Sequence, residues 1–190
     1  MALSGVYPVT IAQAQFETTY AAIVASASDP AAGLNFPGWA LGDVCIDNLG
    51  GQWIFVKAAE NITQYSLCVV TNASLIAGTY LAEQVEAADI ATGTKVLGIA
   101  QVAVTVATEP YFWLWRGPGG GFGKGIKART ENASAGALLS PLSGTAGALD
   151  DANVDEGVIA GLQSLTTTTT LAAVEVVATT ILTCNLTETD

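Results

Sequence analysis

Glycine-rich loops that end in lysine cradle phosphate, because glycine lets backbone amides turn toward an anion and the ammonium adds charge. The run Gly117-Pro118-Gly119-Gly120-Gly121-Phe122-Gly123-Lys124-Gly125 has that composition. Its spacing is wrong: the glycine needed five positions before the Gly-Lys pair is Pro118, and the Ser or Thr needed after the lysine is Gly125. A second run, Asp151-Ala152-Asn153-Val154-Asp155-Glu156-Gly157, sets carboxylates and amides at alternate positions, as a calcium loop does. Its glycine falls one place late and its twelfth position is Leu162, so it reads as a solvated acidic turn. There is no histidine, which removes the usual Ser-His and Cys-His relays and the commonest zinc ligand. Cys45, Cys68 and Cys184 are odd in number and share no metal-like spacing, so they read as reduced, buried strand residues. No Gly-x-Ser-x-Gly elbow occurs, and no pair of carboxylates stands out for acid/base work.

Two features suit contact better than catalysis. Four of the six basic residues, Arg116, Lys124, Lys127 and Arg129, fall in one short stretch of a chain whose 17 acidic residues bring the net charge to −11. Such a positive island is either a solvated hairpin loop or a docking point for an acidic neighbour. Tyr111, Trp113 and Trp115 alternate with Phe112 and Leu114. Three aromatic side chains approach roughly 500 Å², about the largest apolar patch a monomer tolerates, so that face turns into a core or an interface. The acidic balance excludes a general nucleic-acid binder, which needs a basic face.

The elements that carry these residues read as strands. Of 190 residues 51% are apolar and only 12% charged, about half the usual share. That is too apolar for disorder and is the length of one domain, or a domain plus an arm. From Phe36 onward the period is two. Short strands are predicted at Asp43–Ile46, Gln52–Ala58, Tyr65–Val70, Lys95–Val106, Tyr111–Trp115, Ile126–Ala128, Val158–Leu165, Leu171–Val177 and Ile181–Leu186. Asp47–Gly51 suggests a hairpin, and Gln52–Ala58 is apolar on both faces and so covered on both sides. The stretch containing Val102, Val104 and Val106 shows the clearest alternation. Val96-Leu97-Gly98-Ile99-Ala100-Gln101 and Val158-Ile159-Ala160-Gly161-Leu162-Gln163 echo each other weakly, as two similar β units would. The class is mainly β, a small barrel or sandwich over 36–190. Residues 1–35 differ: Thr10 and Gln13 resemble a capping box, and Phe16, Tyr20, Ile23, Val24 and Ala27 follow at helical spacing. This is one amphipathic helix or an arm that orders on a partner.

A mean hydropathy of +0.46 raises the question of a membrane. The longest uncharged stretch, Asn61 to Ala82, is interrupted by amides and threonines, so no spanning helix is expected. Met1 to Val9 carries no basic cluster and no continuous apolar run, which reads as no signal peptide and assembly in a cytoplasm. The four Asn-x-Ser/Thr triplets, at Asn61, Asn72, Asn132 and Asn185, then read as ordinary polar residues. Low charge, many small residues, abundant threonine and no catalytic set are what a close-packed shell component shows.

Val96-Leu97-Gly98-Ile99-Ala100-Gln101-Val102, Tyr111-Phe112-Trp113-Leu114 leading into Arg116-Gly117, and Ile126-Lys127-Ala128 resemble the core of tailed-bacteriophage capsid decoration (cement) proteins. Ala137-Leu138-Leu139, Ala146-Gly147-Ala148-Leu149-Asp150 and Val158-Ile159-Ala160-Gly161 continue the likeness, which spans roughly 36–177. The resemblance implies a small β-tulip-like domain with an N-terminal arm. It implies a virion structural protein on the outer capsid surface, binding the major capsid protein as a homotrimer, with no cofactor, metal or catalysis. The expected contacts are Val6, Tyr7, Ile11, Phe16 and Tyr20 in the arm, and Arg116, Lys124, Lys127 and Arg129 in the basic loop. The rivals are a tail or head-completion component, a carbohydrate-binding or adhesion module using exposed Trp39, Trp53 or Trp113, and a histidine-free hydrolase.

Overall fold

The computed structural model describes residues 16–17, 39–74, 79–86, 96–151 and 157–185. Val6, Tyr7, Ile11, Tyr20, the choice between helix and arm, and the centre of the acidic run at 152–156 lie outside the described residues. Within them the chain is all β, with no helix. The strands are β1 (Val44–Ile46), β2 (Gln52–Ala58), β3 (Leu67–Ser74), β4 (Thr79–Gln84), β5 (Val96–Ala100), β6 (Tyr111–Gly117), β7 (Gly119–Gly120), β8 (Lys127–Thr130), β9 (Leu139–Pro141), β10 (Leu149–Asp151), β11 (Val158–Ile159), β12 (Leu162–Ser164), β13 (Ala172–Ala178) and β14 (Cys184–Asn185).

Five strands close into a mixed barrel. Their order is β2-β4-β3-β5-β6, and β6 returns to β2 over Gln52↔Gly117 to Lys57↔Tyr111. Only β2–β4 is parallel. β1 shares that edge of β2, pairing at the other end from Val44↔Ile54 to Ile46↔Gln52. A second sheet runs β12-β13-β8-β10-β9, with β7 also on β13. A bridge between Leu138 and Gln163 brings its two ends together. β11 and β14 form a separate antiparallel pair.

Alternation along the barrel strands fills two cores at once. Ile54, Val56, Ala58, Cys68, Val70, Ala82, Ala100, Phe112 and Leu114 point into the barrel, joined by Ile62 and Val104. Trp53, Phe55, Leu67, Val69, Leu97, Ile99, Trp113 and Trp115 point out of it. There they meet Ala128, Leu139, Leu149, Leu162, Val174 and Val176 of the second sheet. This is why β2 and β6 are apolar on both faces: they are the wall between the two cores. Gly98 shows how closely that wall is packed, since a methyl group there would sit 2.8 Å from Leu114 Cβ and 3.1 Å from the Trp115 carbonyl oxygen.

The β1–β2 hairpin is held by a buried carboxylate. Asp47, 4% exposed, accepts the Leu49 and Gly51 amides on Oδ1, each at 2.8 Å, and the Trp53 indole N–H on Oδ2 at 2.7 Å. The two sheets are tied by Gln101, whose amide imitates a strand. It donates to the Lys127 carbonyl at 2.8 Å and accepts the Lys127 N–H at 3.0 Å.

Three expectations need correction. Lys95–Val106 is not one strand: β5 ends at Ala100, and the valines beyond it survive only as the Val104↔Ile62 bridge and as packing on the barrel interior. The chain bends because Gln101 is drawn across to β8. The echo between 96–101 and 158–163 is not structural, since the first is a strand and the second breaks into β11, a turn with Gly161 at φ 72°, and β12. Phe16 does not face a partner but is buried in the chain's own core. Its ring stacks on Trp53 at 4.9 Å and meets Trp113 edge-on at 5.1 Å, because the outer faces of β2 and β6 offer it a flat aromatic seat.

Candidate interaction surface

The glycine run leaves β6, doubles back as β7 along β13, and turns into β8. Gly119 and Gly120 pair with Ala178 and Val177. Gly120 has φ 78°, and a methyl group there would overlap the Val176 carbonyl oxygen, so this approach requires glycine. Gly121 N–H then donates to Val176 O at 3.0 Å. A tight turn follows, with Lys124 N–H donating to Gly121 O at 3.1 Å and Gly123 at φ 70° in its third position. Gly123 N–H meets both carboxylate oxygens of Glu175, at 3.0 and 3.2 Å. The amides that resemble a phosphate cradle are thus engaged with β13. At the corner of the turn Phe122 is 71% exposed.

The basic residues do not form one patch. Arg116 follows the inward row of β6 after Phe112 and Leu114, and reaches toward Gln52 Oε1 at 3.5 Å at the barrel mouth. Burial lowers its pKa from the ordinary arginine value. Lys127 and Arg129 share the outward face of β8, and exposed Lys124 precedes them in the loop. Lys127 Nζ lies 5.8 Å above the Tyr65 ring, and Arg129 Nη1 reaches Ser66 Oγ at 3.3 Å and Ala146 O at 3.4 Å. Three of the four therefore belong to the loop and the strand after it, and Arg116 stands apart on the barrel.

The aromatic residues are spent inside. Trp53 and Trp113 are fully buried, so neither offers the flat exposed face that a sugar platform needs, and Trp39 is half-buried with its ring in an edge-on contact with Trp113 at 5.2 Å. Instead the outside carries, besides Phe122, Ile46 at 59%, Val44 at 48%, Leu49 at 43%, Leu138 at 41%, Leu171 at 40% and Ile181 at 38% exposed. Ile46, Leu49 and Ile181 lie on segments whose backbone adjoins the base of the loop that carries Phe122, whereas Leu138 and Leu171 flank β9 and β13 of the second sheet. Ile46 pairs with Gln52, and Gln52 with Gly117. The backbone at Gly51 lies against Gly119, and Leu182 N–H donates to Arg116 O. Sequence reading missed these residues; the signal for Phe122 was an aromatic between two glycines, whereas the others look like ordinary strand-end aliphatics.

Both described cysteine side chains are poor nucleophiles. Burial, and then the charge of Glu60, push the Cys68 thiol far above its ordinary pKa, and burial followed by Asp43 raises that of Cys45. Among the described residues no three His, Cys, Asp or Glu side chains gather as metal ligands, and no helix is long and apolar enough to cross a membrane. Compared with protein-family models, with curated proteins and with solved structures, the chain matches none.

Proposed function

We propose that this chain is a virion structural protein: a decoration protein that binds the outer surface of a tailed-bacteriophage capsid and stabilises it. In this reading the barrel and second sheet are a β-tulip-like domain, the copies assemble as a homotrimer, and the partner is the major capsid protein. The observation that carries it is the distribution of apolar side chains. The interior is filled on both sides of the β2–β6 wall, and of the large apolar side chains left outside, Phe122 is the most exposed, with Ile46, Leu49 and Ile181 on segments that adjoin the base of its loop, Val44 further along β1, and Leu138 and Leu171 beside β9 and β13 of the second sheet. Large apolar side chains left outside are what a docking surface presents at its centre. Segments on which the sequence resemblance rests, 96–100, 111–117, 127–128 and 149–150, lie in β5 and β6 of the barrel and β8 and β10 of the second sheet, and 158–159 lies in β11 of the separate β11–β14 pair. A trimer engaging three equivalent sites gains about 10²–10⁴ in avidity where the geometry allows, so each contact can be weak.

The test is addition of the purified chain to expanded capsids of the phage that encodes it. Saturation at a fixed ratio to the major capsid protein and a higher capsid melting temperature are expected. A chain that neither sediments with capsids nor shifts their melting refutes the reading.

A further inference from the structure

We propose that Arg116 is a binding site for an oxyanion, a carboxylate or phosphate group held end-on by its guanidinium at the mouth of the barrel. This site is independent of capsid docking. β6 spends an extra residue to present the side chain. Trp53 pairs with Trp115 and Gln52 with Gly117, so the register skips Arg116 and leaves it at a bulge. Bulges re-aim a side chain where a site needs one. The stem of Arg116 runs past Gly98, where an added methyl group would lie 3.6 Å from its Cγ. Nε is enclosed and has no partner, and Nη1 has only the long contact to Gln52 Oε1 at 3.5 Å. Nη2 makes no bond and is not shut off from solvent.

A half-buried cation without a counter-charge costs the fold, because its lost hydration is not returned. Burial alone sets the direction of the Arg116 pKa, downward, and no carboxylate opposes it. Lys127 and Arg129 differ. Arg129 reaches Ser66 Oγ and Ala146 O, and Lys127 stands over the Tyr65 ring and across from Glu175. Asp47, the buried carboxylate of the β1–β2 hairpin, is taken by two backbone amides and the Trp53 indole. Arginine is the side chain whose parallel N–H groups fit two oxygens of one anion, and Gln52 brings an amide to the same place. An oxyanion there gives Arg116 the partner that the described chain withholds.

The experiment titrates the full chain, Arg116→Met, Arg116→Lys and Lys57→Gln with sodium acetate and with sodium phosphate, sodium chloride holding the ionic strength constant. Calorimetry reads binding, and tryptophan fluorescence reads the melting temperature. The parent is expected to bind one anion saturably, with a dissociation constant of about 1–10 mM. Arg116→Met should weaken binding about tenfold or more. Arg116→Lys, which keeps the charge and loses the fork, should weaken it about threefold or more. Lys57→Gln should bind as the parent does, since the Lys57 ammonium lies 5.9 Å over the Tyr111 ring at the far end of β2. In chloride alone Arg116→Met should melt no lower than the parent, because an apolar side chain has no charge to desolvate. Tighter binding of acetate assigns the site to carboxylates, and tighter binding of phosphate to phosphoryl groups. A parent that binds neither anion, or Arg116→Met binding within twofold of the parent, overturns the site. An Arg116→Met chain that melts lower and binds as the parent does makes the residue a packing element and overturns the site as well. Neither result bears on capsid binding, which is tested separately.

Discussion

Replacing Asp47 by alanine removes the acceptor of three hydrogen bonds in the β1–β2 hairpin. The Leu49 amide is on an exposed residue and finds water, but Gly51 is buried and Trp53 is wholly inaccessible, so their N–H groups are stranded. A buried donor left without a partner costs about 1–3 kcal/mol. Two such donors give about 3 kcal/mol, at the lower end of the sum because the hairpin can relax outward. For a chain of this length that lowers the melting temperature by about 6–12 °C. Urea denaturation followed by tryptophan fluorescence reads it directly, since Trp53 is the group that loses its partner. Asp47→Asn should lie between the parent and Asp47→Ala: its carbonyl still takes the Gly51 amide, but its other end presents a donor to the indole N–H. Combining Asp47→Ala with Trp53→Phe should cost less than the two single changes added, because neither partner is then orphaned. An Asp47→Ala protein within about 0.5 kcal/mol of the parent would falsify the claim that this carboxylate holds the turn.

Gly98→Ala drives a methyl group into Leu114 and the Trp115 carbonyl and is expected to cost about 1–3 kcal/mol by urea denaturation. Gln101→Leu keeps the bulk but leaves the Lys127 amide and carbonyl without their partner; about 2 kcal/mol is expected, and no change in the urea midpoint refutes the strand-mimic role. Cys68 should resist alkylation in the folded chain and react on denaturation, as mass spectrometry of tryptic peptides will read. Its raised pKa also sets a slope. Above pH 9.0, its ordinary value, the unfolded chain has released the thiol proton and the folded chain retains it. Stability therefore falls with rising pH, by about 1.4 kcal/mol per unit from this group. Cys68→Ala should lose that part of the alkaline slope; identical slopes refute it.

The strongest strands were legible in the sequence for the same reason that they matter. Gln52–Ala58 and Tyr111–Trp115 are apolar on both faces because each separates two cores, and the Asp47–Gly51 hairpin announced itself by its turn residues. β4 was not legible. In Thr79–Gln84 the inward residues include Tyr80 and Ala82, partnered from β2 and β3 on either side, so the strand needs no alternating aliphatics of its own. β9 and β10 are three residues each, too short for a period to show. Val102, Val104 and Val106 misled because alternation reports which side of a chain is buried, not whether a neighbouring strand runs alongside. The basic cluster was visible as a run, but sequence proximity does not say that Arg116 turns inward on β6 while Lys127 and Arg129 turn outward on β8. Phe16 was read as a contact because helical spacing cannot distinguish a foreign aromatic seat from one on the same chain.

Because β2 and β6 serve two interiors, neither half of the molecule can come apart alone. Peeling the second sheet away would bare Trp53, Phe55, Trp113 and Trp115 to water, and opening the hoop would strand Phe112 and Leu114 on the other side of the same two strands. Loss of either half thus withdraws the support of the other, and the chain should pass from folded to unfolded in one step with no half-folded survivor.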